Sequence, residues 1–263
     1  MKVKSKRIEQ KTNYLQVNSL DSVSSTNVLA KQAALSGAKE GKTFVASKQT
    51  SGKGRLGRTF LSKRGGVYFS IVLRPKNSID APLFITVAAA VAVAKAIEKI
   101  SDKKCDIKWV NDIYINSKKV CGILTEGGFN SDGNLDYAVL GVGLNLFKPW
   151  GGFPSKLPLA GSVFSKKDKL LKKTITKEQF IVEFANIFFG FYNNLEKKDF
   201  IAEYRSRSIL KNKEITYQKD NKEYKAIAKD IDENAHLIVE SSGEIISLSY
   251  GEIQIVGMEQ LLV

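Results

Sequence analysis

The chain of 263 residues lacks long hydrophobic runs. The longest apolar candidate, Val87 to Ala94, is too short and too rich in alanine to span a membrane. No apolar segment follows the basic N-terminus, as a signal peptide would require. Cysteine is scarce, and Cys105 and Cys121 match no metal-binding spacing. These absences predict a cytoplasmic protein with reduced thiols and no membrane partner.

Acidic residues are missing from one long segment. The net charge is +14, and Gly41 to Ile79 contains no Asp or Glu but nine Lys or Arg residues. Inside it lies QTSGKGRLGRTF, Gln49 to Phe60, in which glycines alternate with Lys53, Arg55 and Arg58. Glycines let backbone amides approach an anion, and arginine binds phosphate oxygens through two hydrogen bonds. The spacing does not match a P-loop. The segment predicts a local anion site, with a solvated basic turn as the alternative.

The pattern of apolar residues predicts an α+β fold with two domains. After a basic leader, strand and helix patterns mix up to about residue 211, which predicts a central mixed sheet flanked by helices. From residue 212 the apolar period becomes two, and turn residues separate four or five short strands. We therefore predict a larger domain over residues 1–211 and a small β-barrel over residues 212–263.

Three other segments carry polar residues in unusual places. KWVNDIYINSKKVCGILTE, Lys108 to Glu126, places charged residues among strand residues, and alternation would put Lys108, Val110 and Asp112 on one face. SSTN, Ser24 to Asn27, begins a predicted helix, where a serine cap is the simpler interpretation. GVGLN, Gly141 to Asn145, lets a ligand approach a strand end or marks a tightly packed sheet.

The order of these segments along the chain resembles that of a biotin–protein ligase. The resemblance extends over nearly the whole chain from about residue 14, and the glycine–basic loop followed by Lys-Trp-x-Asn-Asp is specific in combination. It implies a class II synthetase-like catalytic domain followed by an SH3-like barrel. It also implies that biotin and ATP, with Mg²⁺, give biotinoyl-AMP and pyrophosphate. A lysine of a biotin carboxyl carrier protein would then take the biotinyl group.

The resemblance also implies roles for individual residues. The implied catalytic residues are Lys119, Arg55 and Asp112, and Asp112 is the implied Mg²⁺ ligand. The implied biotin-binding residues are Ser25, Thr26, Gln49, Gly52, Arg55, Lys119 and Gly122. The implied ATP- and adenylate-binding residues are Lys53, Arg55, Arg58, Phe60, Asn111, Lys119 and Asn145.

The sequence departs from the family pattern at several positions. Ser24 replaces an aspartate, Lys53 replaces the commoner arginine and Val110 replaces the commoner proline. The segment before residue 13 is too short for the DNA-binding domain of ligase–repressors, so we expect no specific DNA binding. A homodimer stays an open alternative.

Two other functions fit part of the sequence. A lipoate–protein ligase shares the fold and the adenylation chemistry, but lipoate has no ureido group for Gln49, Ser25 and Thr26 to bind. A basic nucleic-acid-binding module would explain the charge, but not the Lys-Trp-x-Asn-Asp segment.

Overall fold

The computed structural model describes residues 3–75, 81–165, 168, 176–219, 222–251 and 253–257. A seven-stranded sheet forms the larger part, in the order β1-β2-β3-β7-β6-β5-β4. Its strands are β1 Gln16–Leu20, β2 Lys42–Ala46, β3 Val67–Leu73, β4 Asp106–Lys108, β5 Asp112–Ile115, β6 Lys118–Phe129 and β7 Leu135–Leu144. β1 and β2 are parallel and the other neighbours antiparallel, which confirms the predicted mixed sheet.

Helices cover both faces of this sheet. The α-helices whose bounds lie in the described residues are α1 Ser5–Glu9, α2 Thr26–Leu35, α3 Ala81–Ser101, α4 Lys177–Tyr192 and α5 Phe200–Ser206. Strand β3 is buried on both faces, because Phe69 and Ile71 join the main core and Val72 packs with Ala30 and Ala34 of α2. Side chains alternate along a strand. The neighbouring even-numbered position, Ser70, therefore faces α2, on the side where the cavity described below lies.

Helix α4 begins at the capping box that the sequence predicts. Thr176 Oγ1 accepts a hydrogen bond of 3.1 Å from Gln179 N, and Thr176 N donates one of 2.8 Å to Gln179 Oε1. Phe180, Phe184 and Phe188 recur at every fourth position, so their rings stack along one face of the helix. That face packs into the main core, and α4 lies against α3.

Gly190, an exposed glycine in the last turn of α4, allows a test of the helix by substitution. A Cβ there would meet no atom within 4 Å. Glycine is a poor helix former, so Gly190→Ala should raise the free energy of unfolding by about 0.5–1 kcal/mol. Urea denaturation would measure the change. Gly41→Ala is the contrast, because Gly41 has φ +83° and its Cβ would collide with Tyr14 O. That variant should be destabilised.

The second sheet contains five antiparallel strands in the order β11-β10-β9-β8-β12. They are β8 Glu214–Lys219, β9 Lys222–Ile231, β10 Leu237–Ser241, β11 Glu244–Leu248 and β12 Ile253–Ile255. This arrangement is consistent with the predicted small barrel-like domain, although no pairing between β11 and β12 closes it within the described residues. Its core is continuous with that of the first sheet. The domain boundary at residue 212 stays a prediction.

The sequence predictions missed two elements, α1 and β12. The first lies in the segment interpreted as a basic leader. Glu9 Oε1 accepts a hydrogen bond of 2.8 Å from Val17 N, and Ile8 is fully buried. Strand β12 has three residues and pairs with β8. Elements this short have too little periodicity to be recognised, because contacts distant in sequence stabilise them.

Candidate functional site

A cavity of about 290 Å³ lies between the loop after β2, the start of α2, strands β4 to β7, the loop after β7 and the end of the second sheet. Residues from each of these regions line it. They are Ser25, Thr26, Asn27, Gln49, Lys53, Gly54, Arg55, Leu56, Arg58, Thr59, Phe60, Lys108, Trp109, Asn111, Asp112, Lys119, Gly122, Ile123, Leu124, Gly141, Val142, Gly143, Leu157, Gly251 and Ile253. Most of the predicted site residues are therefore brought together.

The glycine–basic loop forms one wall of this cavity. Phe60 N donates to Gly52 O at 2.8 Å, and Gly54 N donates to Arg58 O at 2.7 Å, so the loop folds back on itself. A side chain at position 52 would collide with Phe60 O, so this turn needs glycine there. The loop directs Lys53, Arg55 and Arg58 to the cavity lining, as expected of an anion site.

The polar end of the cavity is built around Gln49 and Thr26. Gln49 Oε1 accepts hydrogen bonds from Thr26 N at 2.7 Å and from Thr26 Oγ1 at 3.1 Å. Gln49 Nε2 donates to Ser62 Oγ at 2.8 Å. The prediction that Ser24 or Ser25 caps α2 is wrong: Ser25 is the N-cap residue but its side chain makes no capping hydrogen bond. The side-chain oxygen of Gln49 instead accepts the hydrogen bond from the backbone N–H of Thr26, the first residue of α2.

The sequence analysis gave no role to two residues behind this polar end, Ser70 and Glu126. Ser70 Oγ lies 2.8 Å from Thr26 Oγ1 and 2.6 Å from Asn27 Oδ1. Asn27 Nδ2 donates to Glu126 Oε2 at 2.7 Å. Gly141 leaves space for the Asn27 side chain, because a Cβ there would collide with Asn27 Oδ1. The signal was present for Ser70, which is the only polar side chain apart from the Tyr68 hydroxyl in the buried strand VYFSIVL.

A partly buried ion pair lies in the charged part of the cavity. Lys119 Nζ lies 2.7 Å from Asp112 Oδ2, and both side chains are largely covered. Asp112 Oδ1 is buried and has no hydrogen-bond partner among the described residues. Buried carboxylate oxygens without partners are uncommon and suggest a place for a ligand. Lys119 therefore belongs to the cavity and is not a turn lysine in open solvent.

The segment around Asp112 forms two short strands, so the side-chain alternation used to place Lys108, Val110 and Asp112 on one face does not run through it. Strand β4 ends at Lys108 and β5 begins at Asp112, and these two residues are partners in the antiparallel ladder. They share a face for that reason. Val110 lies in the turn between the strands, where its carbonyl oxygen accepts a hydrogen bond of 2.9 Å from Tyr204 Oη. The expectation that Val110 shares their face along one strand is wrong.

Arg55 connects three parts of the chain. Its guanidinium donates to Asn111 Oδ1 at 3.3 Å and to Gly251 O at 3.1 Å. Asn111 is held in turn by a hydrogen bond of 2.8 Å from its Nδ2 to Ile123 O. The glycine–basic loop is thus attached to the β4–β5 turn and to the second sheet, through a residue whose charge faces the cavity.

The Phe60 ring rests on two glycines of the sheet. Gly122 and Gly143 are ladder partners on β6 and β7, and a Cβ on them would lie 3.0 and 2.7 Å from ring carbons of Phe60. We expect Gly143→Ala to displace the ring and to weaken nucleotide binding several-fold, because Phe60 is the predicted adenine-stacking residue. Calorimetric titration with ATP would measure this, and an unchanged dissociation constant would contradict the role of Phe60.

Two predicted residues and both cysteines lie apart from the cavity surface. Gly52 and Asn145 are not among the lining residues, and Asn145 is buried behind it, where its backbone bonds Val120 and Val163. Burial raises the pKa of the Cys121 thiol, and the Asp112 carboxylate adds to that rise. Burial also raises the pKa of Cys105 to about 12. Neither thiol is ionised near neutral pH, so neither serves as a nucleophile.

The described part of the chain has neither a cluster of metal ligands nor a helix that could span a membrane. No group of three or more His, Cys, Asp or Glu residues there could hold a metal ion. No helix in those ranges is both long and apolar enough to cross a bilayer. A metal held by one protein carboxylate and a bound substrate would still fit, since Mg²⁺ commonly binds through one or two carboxylates and substrate phosphates.

Comparison with known proteins gives a consistent result. Residues 19–145 match the model of the biotin/lipoate A/B protein ligase family. The chain is 41% identical over 138 residues to the bifunctional ligase/repressor BirA of Bacillus subtilis, an alignment that spans 52% of this chain and 42% of BirA. It is 25% identical over 256 residues to the biotin–[acetyl-CoA-carboxylase] ligase of Mycobacterium tuberculosis, covering 92% and 90% of the two chains.

Solved structures show the same fold. The biotin protein ligase of Aquifex aeolicus, in complex with biotin and ATP, superposes with a TM-score of 0.72 at 24% identity. The superposition covers 92% of this chain and 98% of that one. The similarity therefore includes both sheets, and not only the segment that matches the family model.

Proposed function

We propose a function that starts from the match of residues 19–145 to the model of the biotin/lipoate A/B protein ligase family. The protein is an ATP-dependent biotin–protein ligase. It joins biotin to AMP with release of pyrophosphate, and it then transfers the biotinyl group to a lysine of a biotin carboxyl carrier protein. The chain spans less than half the length of the BirA proteins that it matches, and the support for this activity is the cavity of this chain.

One observation carries the proposal: a single cavity has an uncharged polar end and a cationic end. Thr26 and Gln49 form the first, and Lys119, Arg55 and Arg58 belong to the second. Biotin has the same division, with an uncharged ureido ring at one end and a carboxylate at the other. A ligand so oriented would bring its carboxylate to the cations that also attract the phosphates of ATP.

The first step joins two anions. A biotin carboxylate oxygen attacks the α-phosphorus of ATP, and the bond from that phosphorus to the β-phosphate bridging oxygen breaks as pyrophosphate leaves. Lys119 and Arg55 would lower the barrier because their charges face the site where negative charge accumulates. Asp112, whose Oδ1 has no partner, is the residue that would hold Mg²⁺ together with the ATP phosphates. The ion would supply further neutralisation of phosphate charge.

The second step consumes the mixed anhydride. The neutral amine of the acceptor lysine attacks the biotinyl carbonyl carbon, an amide bond forms, and AMP leaves with the electrons of the anhydride bond. Asp112 Oδ1 is the free acceptor that could take the proton released by the amine. Water is the competing nucleophile, so the covering of the cavity by the glycine–basic loop is as important as the cations.

Pyrophosphate release and mass spectrometry test the proposal together. The protein is incubated with ATP and either biotin or lipoate, and a carrier domain is then added. We expect pyrophosphate only with biotin, and one biotinyl group on one carrier lysine. Release with lipoate and none with biotin would assign the chain to the lipoate branch of the family. No release with either acid would remove the ligase function altogether.

A further inference from the structure

A chain of hydrogen-bonded polar side chains runs from Glu126, outside the cavity lining, to Thr26 in the lining. Asn27 Nδ2 donates to Glu126 Oε2 at 2.7 Å, Ser70 Oγ lies 2.6 Å from Asn27 Oδ1, and Thr26 Oγ1 lies 2.8 Å from Ser70 Oγ. Ser70 is fully buried, and Asn27 and Thr26 are 6% and 3% exposed. If every member could both donate and accept, the hydrogen bonds of such a chain could point from Glu126 towards Thr26 or from Thr26 towards Glu126.

The carboxylate end fixes the direction. The amide nitrogen of Asn27 has only hydrogens to offer and the Glu126 oxygen accepts, so the Asn27 oxygen must face Ser70. That oxygen carries no hydrogen, so Ser70 gives its single hydrogen to Asn27. Ser70 Oγ therefore meets the Thr26 hydroxyl as an acceptor. Glu126 thus determines which atom donates and which accepts in each hydrogen bond of the chain up to Thr26.

The consequence is that Thr26 has no hydrogen left for a ligand. Its hydroxyl also lies 3.1 Å from Gln49 Oε1, which already accepts the Thr26 backbone N–H at 2.7 Å. The one hydroxyl hydrogen goes to Ser70 or to Gln49, and both are within the protein. Only lone pairs of Thr26 Oγ1 are available to a ligand. Gln49 Nε2 uses one hydrogen on Ser62 and keeps a second one.

We propose that Glu126, acting through Asn27 and Ser70, is a positioning residue that makes Thr26 an obligate acceptor for a ring N–H of the bound acid. This inference rests on the proposed function and deepens it. In an acid with a ring oxygen in place of that N–H, the lone pairs of the ring oxygen would face those of Thr26 Oγ1. The two oxygens would repel each other, so such an acid would bind more weakly. Glu126 thereby contributes to specificity without being among the cavity-lining residues.

Calorimetric titration with three ligands tests the direction of the hydrogens. The ligands are biotin and the two cyclic carbamates in which one or the other ring N–H is replaced by oxygen, a change with little effect on size. The wild-type protein should prefer biotin to at least one carbamate by about tenfold or more, because one hydrogen bond is replaced by a repulsion.

The decisive variant is Glu126→Gln. Glutamine can donate as well as accept, so the chain can reverse and Thr26 can then give its hydrogen to a ring oxygen. We expect the preference for biotin over that carbamate to fall about threefold or more. A purely structural role of Glu126 would weaken both ligands alike and leave their ratio unchanged. Ser70→Ala, which interrupts the chain, should lower the same ratio and provides a second variant.

Thr125→Val is the matched control. Thr125 precedes Glu126 on β6 but bonds Thr86 of α3 on the opposite face, at 2.7 Å. This variant also loses a hydroxyl hydrogen bond, and it should keep the wild-type ratio. An unchanged ratio in both Glu126→Gln and Ser70→Ala would overturn this inference. So would a wild-type protein whose affinity for both carbamates equals its affinity for biotin. Either result would leave the proposed function standing. A wild-type protein that binds no biotin would overturn the proposed function as well.

Discussion

Lys119→Ala is expected to lower the rate of biotinoyl-AMP formation by about a hundred- to a thousandfold, the usual cost of removing one preorganised charge partner at a reacting centre. Lys119 Nζ is held 2.7 Å from Asp112 Oδ2 in a largely covered position. The alanine variant would remove a cation from the place where carboxylate and phosphate approach, and would leave the Asp112 carboxylate without its partner. Pyrophosphate release in a single turnover would measure the rate directly.

The neighbouring lysine provides a control for this prediction. Lys118 Nζ donates to Pro158 O at 2.9 Å at the surface, and Lys118 is not among the cavity-lining residues. Lys118→Ala removes the same charge one residue away and should leave the rate within about twofold of wild type, as for most surface substitutions. Equal losses in the two variants would show that the effect is one of general charge and would contradict the catalytic role of Lys119.

The long elements of the fold could be predicted because each carries its own periodic pattern or cap. The alanine-rich α3, the capping box of α4 and the buried run of β3 are local signals. Strand β12 could not be predicted, because its three residues are strand only through pairing with β8. The turn at Val110 was missed for a similar reason. Its place depends on Tyr204, which is distant in sequence.

The candidate site divides in the same way. The cations of the glycine–basic loop could be predicted, since glycine and arginine at close spacing indicate anion binding whatever the surrounding fold. The side chains that hydrogen-bond to Thr26 and Asn27 could not be predicted in this way. Ser70 and Glu126 lie 44 and 99 positions along the chain from the residues they contact. Only the order of strands β3, β7 and β6 brings them behind α2.

Arg55→Ala is expected to let the reaction intermediate escape. Arg55 attaches the glycine–basic loop to Asn111 and to Gly251, and its guanidinium also lines the cavity. A guanidinium bound to a phosphate oxygen contributes about 1.5–3 kcal/mol, so its loss should speed dissociation of biotinoyl-AMP about 10- to 150-fold. The rate can be followed by chasing preformed intermediate with excess unlabelled biotinoyl-AMP.

Escape has a second consequence that is measurable without kinetics. A free mixed anhydride acylates any accessible amine, so the variant should biotinylate lysines of an unrelated protein that the wild type leaves unmodified. Arg64→Ala is the matched control, because Arg64 pairs with Asp21 at the surface and is not among the cavity-lining residues. It should retain the intermediate as the wild type does. Unchanged dissociation in Arg55→Ala would mean that the loop does not hold the adenylate, and the cationic end of the cavity would need another ligand.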